Sequence, residues 1–302
     1  MPEGQLSRAQ QPRLRCPIGA VRWLRYALAL GAVMAAQAAR TAHAAPAAQI
    51  APFPGYTLRD EQRRDRFLVQ RWVSADSPEV SPAGVCDCIV NVYVGNRLVL
   101  KFGTPGDISA ITIDEATGGD LDSDGHTDLV VSTWSGGMHC CYSVRAYSIA
   151  RKVRTLLSLD TGDCGPGEFS DLDHDGVSEF LSCDGSWKDR YCSFALAPFP
   201  TVVYAYDAAQ RRYRIATPKY ARHFDVEIAT ERAEAERQIQ QGAPADAGDT
   251  KCAVLHPALG LIYTGRLAEG LGLISRLYHG ADLDMFLKET EAAVRASPLW
   301  VP

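Results

Sequence analysis

The sequence predicts a mainly β fold followed by an α-helical C-terminal region. Between Cys86 and Tyr213 the chain is a series of short β-branched or aromatic runs bounded by Gly, Asp, Asn or Pro. Two aspartate-rich loops of one nine-residue pattern lie between such runs. After Arg214 the character changes to Ala/Glu/Gln/Arg-rich segments of high helix propensity.

Residues 1–44 have the layout of a signal peptide: a basic front (Arg13, Arg15, Arg22, Arg25), an apolar stretch of 14 residues over 26–39, and Ala42-His43-Ala44 with small residues where a signal peptidase cuts. The apolar stretch is shorter than the ~20 residues of a membrane-spanning helix. The expected location is therefore periplasmic or secreted, with no stable membrane insertion after cleavage. Full-length net charge is −5, and removing six arginines and one glutamate takes it near −10. Such an acidic chain does not suit nucleic acid or an anionic membrane as partner.

Residues 45–66, Ala/Pro-rich and then charged, read as a flexible leader, with a β domain over 67–220 and a helical region over 221–302. Strands are expected at 89–94, 98–102, 129–134, 143–149, 180–183, 191–196 and 201–206, with Gly95-Asn96 as a tight turn. Helices are expected at 225–241, after Pro257 at a first turn, at 267–278 before Gly280, and at 282–296 before Pro298. Residues 259–270 resemble part of a tetratricopeptide helical hairpin in a single copy, and a plain helical cap on the β domain is the simpler reading.

Of the 9 cysteines, all but Cys16 follow the signal segment. An even number in an exported chain points to disulfides. Cys140 and Cys141 are adjacent, too close in Cα spacing for the usual bridge, and are expected to pair outward to different partners. The Cys86-x-Cys88 pair on one strand face could supply them. Cys183 and Cys192 flank 184–187, read as a hairpin turn, and are expected to face each other.

The chemistry concentrates in two segments that align without gaps. The first carries Asp120, Asp122, Asp124, Gly125, His126 and Asp128; the second carries Asp171, Asp173, Asp175, Gly176, Val177 and Glu179. Carboxylates at positions 1, 3, 5 and 9, with the backbone carbonyl of position 7 (His126, Val177), offer most of the six to eight oxygens a calcium ion takes. Glycine at position 6 permits the reversal that returns position 9 to the ion. Position 12 holds Val131 and Ser182 rather than glutamate, so these are not EF-hands. Without a cation, four carboxylates within nine residues repel one another. The expected cofactor is calcium, up to two ions.

These segments resemble the aspartate-loop repeats of FG-GAP and VCBS proteins, the family of the integrin α-subunit propeller. The resemblance implies four-stranded antiparallel blades with a calcium loop between strands, used for binding or adhesion. The repeats start 51 residues apart, and the β region has room for about three such blades. It therefore implies a partial or small β-propeller-like assembly.

Other clusters have simpler readings. Met138-His139-Cys140-Cys141 contains soft ligands, but disulfides are the commoner use of exported cysteines. Asp114 with Glu115 could pair as acid and base, and Trp134, Trp187 and Tyr191 could form a sugar platform; solvated turns and strand packing are the commoner uses of such residues and are the expected ones. No nucleophile elbow or HExxH is present. The expected function is a non-enzymatic extracytoplasmic module, structural or contacting an envelope or extracellular protein or glycan. The alternative is a calcium-stabilised hydrolase of envelope polymers using Asp163, Glu168 or Asp184.

Overall fold

In a computed structural model, the residues described are 53–77, 79–137, 141–242 and 248–302. The signal-like segment and His139-Cys140 lie outside them. Among the described residues, twelve strands form three successive antiparallel meanders. The first is β1 (Tyr56–Arg64), β2 (Phe67–Ser74), β3 (Val85–Val94) and β4 (Arg97–Phe102). The second is β5 (Ile108–Ile113), β6 (Asp128–Trp134), β7 (Tyr142–Ile149) and β8 (Val153–Gly162); the third is β9 (Glu168–Ser170), β10 (Glu179–Cys183), β11 (Thr201–Asp207) and β12 (Arg212–Ile215).

β3 pairs with β4 through its second half and with β5 through Val85–Asp87, which fuses the first two meanders into an eight-stranded sheet. The third meander is a separate sheet in the order β12-β11-β10-β9. Neither sheet closes on itself among the described residues. In β6, Leu129, Val130 and Val131 are all buried, as expected of a strand covered on both faces. β1, charged and exposed along most of its length, is an edge. It occupies residues expected to belong to a flexible leader: pairing of Arg64 with Phe67 through Tyr56 with Ser74 gives this polar segment its order.

Four helices follow: α1 (Asp225–Gln240), α2 (Gly248–Tyr263), α3 (Leu267–Leu277) and α4 (Leu283–Ala296). Pro257 lies inside α2 rather than in a first turn. The helices share one core with the second and third meanders, in which Leu156, Phe180 and Trp187 pack with Leu255, Leu259 and Phe286. A smaller core between the first two meanders holds Phe67, Val92 and Leu129.

Among the described residues three cysteine pairs stand at disulfide distance: Cys86 with Cys88, Cys164 with Cys183, and Cys192 with Cys252, at Cα separations of 5.2, 5.4 and 6.3 Å. The expected pairing of Cys183 with Cys192 is thus replaced, and Cys86 and Cys88 pair with each other rather than with the 140–141 dipeptide. The reason is local geometry. Residues 185–187 form a 3-10 turn capped by Asp184, and 191–196 form no strand but bend toward the helices, where Cys192 meets α2.

Candidate metal centres

The two aspartate loops occupy equivalent places, one between β5 and β6 and the other between β9 and β10. Their backbones repeat bond for bond. At position 1, Asp120 accepts from the N–H groups of Asp124 (3.1 Å) and Gly125 (2.8 Å), and Asp171 from those of Asp175 (3.1 Å) and Gly176 (3.0 Å). At position 5, Asp124 accepts from His126 N–H and Asp175 from Val177 N–H. At position 9, Asp128 accepts from Leu121 N–H and Glu179 from Leu172 N–H. Left-handed backbone falls at position 4 (Ser123 φ 54°, His174 φ 59°) and position 6 (Gly125 φ 83°, Gly176 φ 88°). A polypeptide that reproduces the same strained turn twice is held there by its sequence pattern.

This winding gathers oxygens. Asp120, Asp122 and Asp124 bring one carboxylate oxygen each within 4.8 Å of the others, as do Asp171, Asp173 and Glu179. Both clusters could hold a metal ion. The two differ at position 9, where Asp128 is one methylene shorter than Glu179. Asp128 is fully buried on the Leu121 amide and outside its cluster, whereas Glu179 reaches into its own. Asp175 and the position-7 residues His126 and Val177 are tied into the loops through the amide bonds above. Of the ten expected ligand residues, six side chains are therefore brought together.

The first centre is short of positive charge. Asp122 Oδ1 and Asp128 Oδ1 are buried without a hydrogen-bond partner among the described residues, a costly state for carboxylate oxygens. Burial, reinforced by the charges of Asp122, Asp124 and Asp120, pushes the Asp128 carboxyl up to about 7. Donors from distant elements partly compensate. Arg154 of β8 reaches Asp122 Oδ2 at 2.7 Å and Asp124 Oδ2 at 3.3 Å, and Ser148 donates to Asp124. At the second centre Lys219 lies 2.9 Å from Asp173, which it holds below the usual carboxylate range, and Tyr220 donates to Glu179 at 2.7 Å.

One side chain joins the centres. The Tyr213 hydroxyl is shared between the carbonyl of Leu121 in the first loop (2.9 Å) and that of Ser178 in the second (2.7 Å). Burial and the neighbouring negative charges raise its pKa, which keeps it a donor. Arg154, Ser148, Lys219, Tyr213 and Tyr220 carry no local sequence signal for this role, because they come from β7, β8, β12 and the 217–224 segment, which only the fold brings to the loops.

The remaining sequence candidates do not assemble. Trp187 is buried against Tyr263, Tyr191 packs edge-on against Phe286, and Trp134 stacks on Tyr142, so the three form no common platform. Asp114 caps its own turn through Ala116 N–H. Asp184 accepts from Ser186 N–H, Tyr263 and Ser297 inside the core, and Asp163 is paired with Lys188. Compared with protein-family models, curated proteins and solved structures, the chain matches none.

Proposed function

We propose that the chain is an extracytoplasmic calcium-binding module, structural or protein- or glycan-binding, in which two calcium ions stiffen a small propeller-like arrangement of FG-GAP type. The observation that carries this reading is the bond-for-bond repeat of two carboxylate loops at the same place in successive four-stranded meanders. An all-oxygen donor set suits a hard cation, and calcium accepts the irregular geometry that such loops offer. Three cysteine pairs at disulfide distance fit an oxidising compartment. No helix among the described residues is long and apolar enough to cross a membrane.

Asp120, Asp122, Asp124 and Asp128 with the His126 carbonyl would hold the first ion. Asp171, Asp173, Asp175 and Glu179 with the Val177 carbonyl would hold the second. The ion supplies the positive charge that the buried oxygens of Asp122 and Asp128 lack, while Arg154 and Lys219 withdraw or bridge. Thermal unfolding in excess calcium and in excess chelator tests the reading. Saturation at ~100-fold above Kd adds about 2.7 kcal/mol per site. Asp122→Ala with Asp173→Ala should abolish the calcium-induced rise in Tm. A wild-type Tm equal in calcium and chelator refutes it.

A further inference from the structure

The first metal loop is held from outside at one further point. β1 and β2 are joined by the two-residue turn Asp65-Arg66, between the paired Arg64 and Phe67. Asp65 is left-handed at φ 52°, a conformation aspartate tolerates better than most residues. The turn lies against the loop between β5 and β6. Asp65 Oδ2 accepts from the Thr127 hydroxyl at 2.5 Å. One nitrogen of Arg66, Nη2, donates to the Thr127 carbonyl at 2.5 Å and also to the carbonyl of Ile149. The approach is equally close where the chain enters the loop: a Cβ on Gly118 would stand 3.2 Å from Asp65 Cβ.

Thr127 is position 8 of the loop, between the position-7 carbonyl of His126 and the position-9 carboxylate of Asp128. Its two bonds to the turn therefore fix the peptide units that carry both ligand groups. Asp128 pairs with Ser148 in the β6–β7 ladder, so Thr127 and Ile149 are the next residues beyond that pair, and Arg66 closes the ladder as an added rung. That rung also steadies Ser148, the donor to Asp124. In the second loop position 8 is Ser178, whose carbonyl accepts from the Tyr213 hydroxyl at 2.7 Å. Both loops thus have the position-8 carbonyl tied to a donor from a distant element. A constraint met twice by unrelated side chains belongs to position 8, not to the packing of one hairpin. Arg66 keeps its place although its Nε is buried without a hydrogen-bond partner among the described residues, a cost that an apolar side chain would avoid.

We propose that Asp65 and Arg66 are positioning residues of the first metal centre: they set the peptide units of positions 7 to 9 for a calcium ion without touching it, and so set that centre's affinity. This rests on the calcium reading above. A ligand frame fixed before the ion arrives loses less conformational freedom on binding, and contacts just outside the ligands weigh on metal affinity. Linkage makes the effect reciprocal: an ion in the first loop steadies the Asp65-Arg66 turn and, with it, the edge strand β1. The second centre, whose position 8 is held by Tyr213, does not depend on this turn.

Calcium titration of the disulfide-bonded protein tests this in two backgrounds, Asp173→Ala to isolate the first centre and Asp122→Ala to isolate the second. Arg66→Met keeps the side-chain length and removes the donors. It should weaken the first centre by about tenfold or more and leave the second within about twofold. Thr127→Val removes only the hydroxyl bond to Asp65 and should weaken the first centre by about fivefold, with Thr127→Ser restoring it. Amide exchange along residues 56–64 should slow when calcium fills the first centre, and Arg66→Met should abolish that response. Unchanged first-centre affinity in Arg66→Met and Thr127→Val overturns the proposal. So does equal weakening of both centres, which marks a general loosening of the fold. If Arg66→Met does not fold, Thr127→Val and Thr127→Ser decide alone. Calcium uptake at both centres that these substitutions leave untouched removes the proposal and spares the calcium reading; no uptake by the wild-type protein removes both.

Discussion

Replacing Arg154 by glutamine should destabilise the protein strongly in chelator and weakly in calcium. Arg154 lies 2.7 Å from Asp122, whose side chain is 0% exposed, and 3.3 Å from Asp124, while its own side chain is 23% exposed. Removing one partner of a fully buried pair costs about 3–5 kcal/mol, and the partial exposure of Arg154 reduces this to about 2–3 kcal/mol. In a unit of this size that is a fall in Tm of roughly 4–12 °C. With calcium bound, the ion neutralises Asp122 and Asp124, and what remains is the bond from Arg154 to Tyr206 at 3.1 Å, worth about 1 kcal/mol or less. The cycle must close: a loss smaller by about 1.5 kcal/mol in calcium means that Arg154→Gln binds calcium about tenfold more tightly at the first centre. Urea unfolding in chelator and in calcium, set beside direct calcium titration of both proteins, measures every side of the cycle. An equal destabilisation under both conditions refutes the reasoning, because Arg154 would then not share its carboxylates with the ion.

Gly125→Ala and Gly176→Ala should each cost about 1 kcal/mol through left-handed backbone alone, since nothing lies within 4 Å of the added Cβ. By contrast Gly167→Ala places its Cβ 2.4 Å from Phe180 Cζ and 2.6 Å from the Leu181 carbonyl, and should cost about 3 kcal/mol or more by urea unfolding. Tyr213→Phe removes the hydroxyl shared by the two loops; a stability loss of about 1 kcal/mol should come with calcium titrations in which occupancy of one centre no longer affects the other. Burial pushes the Asp184 carboxyl up, but hydrogen bonds from Ser297, Tyr263 and Ser186 outweigh it and leave its pKa below the ordinary value. Its contribution is therefore present above the unfolded-state pKa of about 3.9 and is lost as pH falls through the folded one. Asp184→Asn should flatten the decline in stability below about pH 4, and an unchanged acid limb would show that the carboxylate is not held this way.

The loops were legible because their chemistry is local: carboxylates two residues apart and a glycine fix the winding without help from the rest of the chain. Six expected strands, among them 129–134 and 201–206, are strands in the structure because β-branched runs bounded by turn residues have few other uses. The sequence of β1 resembles a leader because an edge strand needs no apolar face and its charged residues supply none. The aromatics of residues 191–196 suit a strand, yet Tyr191 packs on Phe286 of α4 and Cys192 bonds to Cys252 of α2, partners that no local pattern reveals. The same limit hid Arg154, Lys219 and Tyr213. The loops declare their ligands, while the residues that balance the charge and join the centres arrive from later strands and from the segment before α1.

Isothermal titration of calcium into the chelator-treated protein tests the central claim most directly. Two ions per chain are expected, with one uptake lost in Asp122→Ala and the other in Asp173→Ala. Absence of calcium uptake by the folded wild-type protein would contradict it.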